Sequence, residues 1–209
     1  MDNQRDLNAY YASLLREHGN SPKSLAWPTR EVQERNFLSV TRVFAHEQAP
    51  FTVYEVGCGL GDMAEHIETH YPLAEYAGCD VNPEMIAAAK ARRPDLAIEL
   101  RNILEEAPLQ HDYVVTSGVF NLNFDGRSQA QWQQFIFDML AAMYGSATKG
   151  IAANFHTSYV DWKKPDDYYQ DPLVIFDFAK RHLSKFVDLR HAYFPWEYAL
   201  HIYREPRPL

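Results

Sequence analysis

Two cysteines in 209 residues are too few for a disulfide framework or a cysteine-rich metal site, and Cys58 and Cys79 both fall where compact side chains suit strand ends. They read as small buried groups. Long apolar runs are also missing: none approaches the roughly 20 residues of a membrane-spanning helix, and the start, Met1-Asp2-Asn3-Gln4, lacks a signal peptide's basic and apolar regions. A cytoplasmic protein without a membrane partner is expected. Clustered positive charge is scarce as well. Against 28 Asp and Glu stand 20 Lys and Arg, a formal net charge of −8, and the basic residues gather only in pairs such as Arg92-Arg93 and Lys163-Lys164. Nucleic-acid binding draws much of its affinity from phosphate neutralisation, so no nucleic-acid partner is expected and these pairs read as solvated surface. Repeats, low-complexity tracts and linkers are absent from the sequence, and 46% hydrophobic content over this length suits one domain with a substantial core.

What is present centres on residues 51–61, Phe-Thr-Val-Tyr-Glu-Val-Gly-Cys-Gly-Leu-Gly, a β-prone run that breaks into glycines at 57, 59 and 61. Loss of three β-carbons lets the backbone turn tightly, approach a ligand and enter a helix. The dinucleotide fingerprint spaces its last two glycines three apart to seat a pyrophosphate. Here Glu55 and alternate glycines combine a carboxylate with the turn, which suits a cation. A helix over about 62–71 follows, then a second strand, 74–80, ending in Asp80 about twenty positions past the glycines. A carboxylate at that place accepts hydrogen bonds from ribose hydroxyls in nucleoside-binding α/β folds. Asn82-Pro83 caps the next helix, to Arg92. Strands at 96–101 and 111–117 come next, then Ser128 and Gln131 as a capping box for a helix to about Tyr144. A fifth strand at 150–155, a helix beginning at Asp171-Pro172 and strands near 186–191 and 196–203 complete an alternation that predicts a mostly parallel sheet with helices on both faces. Residues 1–50 read as helical, about 5–17 and 30–48, with Thr29 capping the second.

The Glu55, Gly57-x-Gly59-x-Gly61 and Asp80 set resembles the class I S-adenosylmethionine (SAM) dependent methyltransferases. That likeness implies a Rossmann-like, seven-stranded α/β sheet whose last strand is antiparallel. It divides the chain into an N-terminal helical cap, 1–50, and a SAM-binding core, 51–209. It implies that Glu55 meets the methionine moiety, that Gly57 and Gly59 face the ligand, and that Asp80 and Val81 lie at the ribose. Asn102 and Ile103 then stand where the family holds adenine, usually with Asp in place of Asn102. Ser117 to Asn121 are expected at the reactive end.

A bacterial subgroup of small enzymes resembles the chain over nearly its whole length, through Tyr10-Tyr11, Trp27, Gln33-x-Arg35-Asn-Phe37, Ser117-Gly-Val-Phe-Asn121 and 154–160, Asn-Phe-His-Thr-Ser-Tyr-Val. In it the N-terminal segment covers the cofactor, so Tyr11 and Arg35 are expected at the methionine end, with Arg35 on its carboxylate. Aromatics of that segment and of 156–170 are placed to attract the sulfonium.

The expected reaction is methyl transfer to a small molecule, with His156, just past the fifth strand, as the base if the acceptor must lose a proton. The subgroup also resembles azetidine-2-carboxylate synthases of natural-product pathways, in which SAM closes a ring on itself; Asn121 and Tyr159 would then hold its amine. A non-catalytic SAM-binding protein is the third reading. No metal is expected: His66 and His70 share a helical face, but their helix leads away from the reactive edge.

Overall fold

The computed structural model describes residues 2–123 and 127–207, with side chains from residue 7 onward. Strands β1 (Phe51–Val56), β2 (Ala74–Asp80), β3 (Ile98–Leu100), β4 (His111–Thr116), β5 (Ala147–His156), β6 (Phe186–Phe194) and β7 (Glu197–Tyr203) form one sheet in the order β3-β2-β1-β4-β5-β7-β6. β7 runs antiparallel to both neighbours, and the pairings among β1 to β5 are parallel. Strand order reverses between β1 and β4, and ligands of open α/β sheets settle above the carboxyl ends of the strands at such a point.

Alternation along the strands decides which helix covers which face. Val53, Val115 and Ala152 join Phe37, Val40, Val43, Phe44, Met63 and Ile67 of the chain over α2 (Arg30–Thr41) to α3 (Asp62–His70) on one side. Tyr54, Val114, Ile151 and Ala153 meet Trp132, Ile136, Leu140 and Met143 of α5 (Gln129–Ser146) on the other, with α6 (Pro172–Phe178) adding Ile175. A period of two in the strands thus meets helical stripes on both sides. Helix α4 (Pro83–Arg92) packs Ile86 and Ala89 against Ile98, and α1 (Asp2–His18) crosses it, with Asn82 Nδ2 donating to the Asn8 carbonyl at 3.2 Å.

The expected caps are in place. Thr29 Oγ1 accepts from Val32 N–H at 3.3 Å, Asn82 Oδ1 accepts from Glu84 and Met85 N–H, and Ser128 with Gln131 forms the reciprocal box that starts α5.

Three boundaries differ from the sequence expectation. Helix α2 ends at Thr41 and tightens into a 3-10 turn over Arg42–Phe44 instead of running to 48. The chain leaves the helix because Glu47 is drawn to the sheet, accepting from Tyr113 Oη at 2.6 Å and Lys149 Nζ at 3.2 Å. β3 is a three-residue edge strand, and β5 begins at Ala147, directly after α5. Both cysteines are free and buried. Among the described residues no helix is long and apolar enough to cross a membrane.

Candidate cofactor site

A cavity of about 380 Å³ opens above the carboxyl ends of β1, β2 and β4, at the reversal of strand order. Its walls include Tyr11, Glu55, Gly57, Gly59, Asp80, Val81, Asn102, Ile103 and Ser117. The glycine turn shapes its floor. Cys79 carbonyl accepts from both Gly57 and Cys58 N–H, at 2.8 and 2.9 Å, so the turn is pinned to the end of β2. Gly57 has φ +75, and a β-carbon there would lie 2.3 Å from Val119 Cγ2; only glycine fits.

Asp80 ties the turn to the second strand. Its Oδ2 accepts from Gly59 N–H and its Oδ1 from Asn82 N–H, each at 2.8 Å. Burial raises this carboxyl, and the backbone N–H groups of Asn82, Gly59 and Val81 partly oppose the rise. A carboxylate has about four lone-pair sites. The bonds from Gly59 and Asn82 take two of them, and the Val81 N–H also draws on the carboxylate, so what remains is left for a ligand hydroxyl.

Glu55 is 3% exposed, and Tyr76 Oη donates to its Oε2 at 2.5 Å. Burial pushes its carboxyl up to about 8; the Tyr76 bond opposes this, while Asp62 and Asp80 add to it. Asp62 is itself paired with Arg92 Nη1 at 2.7 Å and accepts a bond from Gln33 Nε2 at 3.0 Å. Arg92 therefore braces the glycine turn, also donating to the Leu60 carbonyl at 2.6 Å, and is not the free surface charge the sequence suggests. The excess of buried carboxylate at this end fits a ligand cation.

The far wall is the segment after β4. Gly118 N–H donates to Asn154 Oδ1 at 2.9 Å, and Trp27 lies so close that a β-carbon on Gly118, at φ +83, would meet its ring at 2.9 Å. Ser117 Oγ is buried without a hydrogen-bond partner. On the cavity wall, that hydroxyl is free to meet a ligand. Asn102 Oδ1 accepts from Leu104 N–H at 3.1 Å, which leaves its amide nitrogen for the cavity.

Four expected site residues do not line this cavity. Arg35 stands two residues from Gln33, roughly 200° around the helix, so when Gln33 reaches Asp62 the Arg35 guanidinium turns away and lies 3.6 Å over the Phe194 ring. Asn121 is buried and acts as a bolt: Oδ1 accepts from His156 N–H at 3.0 Å and its carbonyl from Tyr168 N–H at 2.9 Å. Tyr159 is 61% exposed beside His191. His156 lies between two acids, with Nδ1 3.7 Å from Asp167 and Nε2 3.7 Å from Glu197. Burial lowers its pKa, with Asp167 opposing.

Cavity residues not foreseen include Leu25, Phe37 and, on α5, Trp132, Phe135 and Met139. The spacing of the last three puts them on one helical face, a signal present in the sequence but equally suited to plain core. His66, by contrast, is fully engaged, its Nδ1 2.9 Å from Glu34 and its Nε2 3.3 Å from Thr41.

Comparison with known proteins agrees with this geometry. A family model described as "Methyltransferase domain" matches residues 54–143. The chain is 33% identical to a Mycobacterium tuberculosis (strain ATCC 25618 / H37Rv) protein named "Putative methyltransferase Rv1506c", over 72% of this chain and 92% of that one. Among solved structures, magnesium protoporphyrin IX methyltransferase from Synechocystis PCC 6803 with bound S-adenosylhomocysteine (SAH) superposes with a TM-score of 0.65 at 13% identity, covering 97% of this chain and 100% of the other. The plantazolicin methyltransferase BpumL, in complex with a triazolic desmethylPZN analog and SAH, gives 0.66 at 15% identity, covering 97% and 98%. These two show the fold. With the cofactor-site geometry and the relative whose length is matched almost in full, they lead to one conclusion: the chain belongs to the class I SAM-dependent methyltransferase family.

Proposed function

We propose that this enzyme transfers a methyl group from SAM to a small-molecule acceptor at the Ser117–Gly118 end of the cavity. The observation that carries the reading is Asp80, fixed by two backbone N–H bonds with its spare lone pairs beside the cavity, one strand away from the buried Glu55. SAM supplies an electrophilic methyl on a sulfonium. The protein's part is to hold and orient: Asp80 and Val81 take the ribose, Asn102 and Ile103 the adenine, and Glu55 the cationic methionine end. Tyr11, Leu25 and Trp27 come from the N-terminal segment, which acts as the cap that keeps water out. Much of the rate in such a site comes from positioning.

Ring closure on SAM itself gains nothing from the geometry. Asn121 is committed to the His156 backbone and Tyr159 stands outside the cavity, so neither is placed to hold the amine. Incubation of the protein with SAM alone, and then with added small-molecule acceptors, separates the readings. SAH that forms only with an acceptor supports methyl transfer. Methylthioadenosine together with a cyclic amino acid from SAM alone would support cyclisation, and no turnover in either condition would favour a binding protein.

A further inference from the structure

Beyond the cofactor cavity, the same rim of the sheet carries a second polar cluster. β7 is antiparallel, so Glu197, its first residue, stands opposite His156, the last residue of β5. Arg35 joins them from α2. Its guanidinium plane is held against Phe194 at 3.6 Å, its Nε is buried without a hydrogen bond, and Glu197 is near enough to feel its charge. Glu197 is 5% exposed, with Oε2 unpartnered, and His156 Nδ1 is unpartnered too. Single buried atoms of a guanidinium, an acid and an imidazole thus lack a hydrogen bond in one cluster, while Glu197 also accepts a bond from Asn36.

The cluster is coupled to the reactive end by two hydrogen bonds. Gly118 N–H donates to Asn154 Oδ1 at 2.9 Å, and Asn154 Nδ2 donates to Asn36 Oδ1 at 2.8 Å; Asn36 adjoins Arg35. Aromatic side chains flank it. Phe194 and Trp196 meet edge to face at 5.0 Å, and Tyr159 lies over His191, with Trp196 and Tyr159 exposed at 55% and 61%.

We infer that this cluster is the acceptor subsite, and that the acceptor is a flat, conjugated monocarboxylic acid whose carboxylate is held by Arg35. The inference rests on the methyl-transfer reading. Arginine is suited to the role, since a planar guanidinium stacked on an aromatic ring grips a carboxylate through two parallel hydrogen bonds. A phosphate or dicarboxylate is disfavoured, because Glu197 and Asp167 stand on either side of His156 and repel a second negative charge. Exposed aromatic faces give a conjugated body a surface to stack on.

Benzoate and its uncharged isostere benzamide probe the subsite on protein saturated with SAH. Calorimetry should show saturable benzoate binding, at least about tenfold weaker binding of benzamide, and a comparable loss of benzoate binding in Arg35→Gln. Arg35→Lys should recover only part of it, because the fork is missing. SAM titrations on the same proteins control for folding and should agree across the variants. Equal benzoate binding by wild type and Arg35→Gln, or no benzoate binding by a protein that binds SAM, would overturn the inference. Failure of the wild type to bind SAM would instead remove the reading beneath it.

Discussion

Gly59 donates its backbone N–H to Asp80 Oδ2 at 2.8 Å, joining the glycine turn to an acid twenty-one positions on. The carboxylate is thereby oriented, and the backbone bonds partly oppose the rise that burial causes. Asp80→Asn should disturb that balance. Asn keeps one acceptor oxygen but sets its NH2 against the other backbone N–H, so the melting temperature should fall, and SAM affinity should fall by at least about tenfold, as expected when charge-assisted bonds to ribose hydroxyls are lost. Thermal melts and calorimetry on the one variant check both. SAM affinity equal to that of the wild type in the folded variant would mean that Asp80 is structural.

Glu55 gives a pH signature. Its folded carboxyl, at about 8, lies above the ordinary value of 4.5, so the native state holds a proton that the unfolded chain releases. Stability from this group is complete below about 4.5 and is lost as pH rises through about 8. Ligand-free protein should therefore lose melting temperature across that window, and Glu55→Gln should flatten the decline. A cationic ligand prefers the ionised form, so SAM affinity should rise over the same range in wild type and stay flat in the variant.

The turn at Gly57 is constrained twice, by φ +75 and by Val119 Cγ2, which lies 2.3 Å from where a β-carbon would stand. Gly57→Ala should cost about 1–3 kcal/mol in urea unfolding. Adding Val119→Ala should relieve the steric part and leave the backbone part. Full recovery would show that the left-handed conformation carries no cost.

His201 acts at the acid end. Burial lowers its imidazole to about 4, although its bond with the Ser39 carbonyl at 2.8 Å works the other way. The folded pKa is below the ordinary 6.5, so stability is complete above about 6.5 and is lost as pH falls toward about 4. His201→Gln, which can still donate to Ser39, should show a shallower acid limb in melts taken across that range.

The cofactor half of the site was legible because its chemistry is local. A strand, a glycine turn and an acid at the next strand's end occupy fixed sequence positions, and the structure brings Glu55, Gly57, Gly59 and Asp80 to one cavity. Helix caps such as Ser128 with Gln131 were legible for the same reason. Arg35, Asn121 and Tyr159 were not, because their surroundings depend on long-range packing. Whether Arg35 faces the cavity or Phe194 turns on how Gln33 meets Asp62, and no motif near residue 35 records that contact. The wall made by Trp132, Phe135 and Met139 was hidden by a helical pattern that ordinary core shares.

The most direct test is a crystal structure of the protein with SAH. The account predicts the ribose hydroxyls on Asp80, the adenine against Asn102 and Ile103, the amino group toward Glu55 and the sulfur facing Ser117–Gly118. Density for SAH outside this cavity, or a ribose that makes no contact with Asp80, would contradict it.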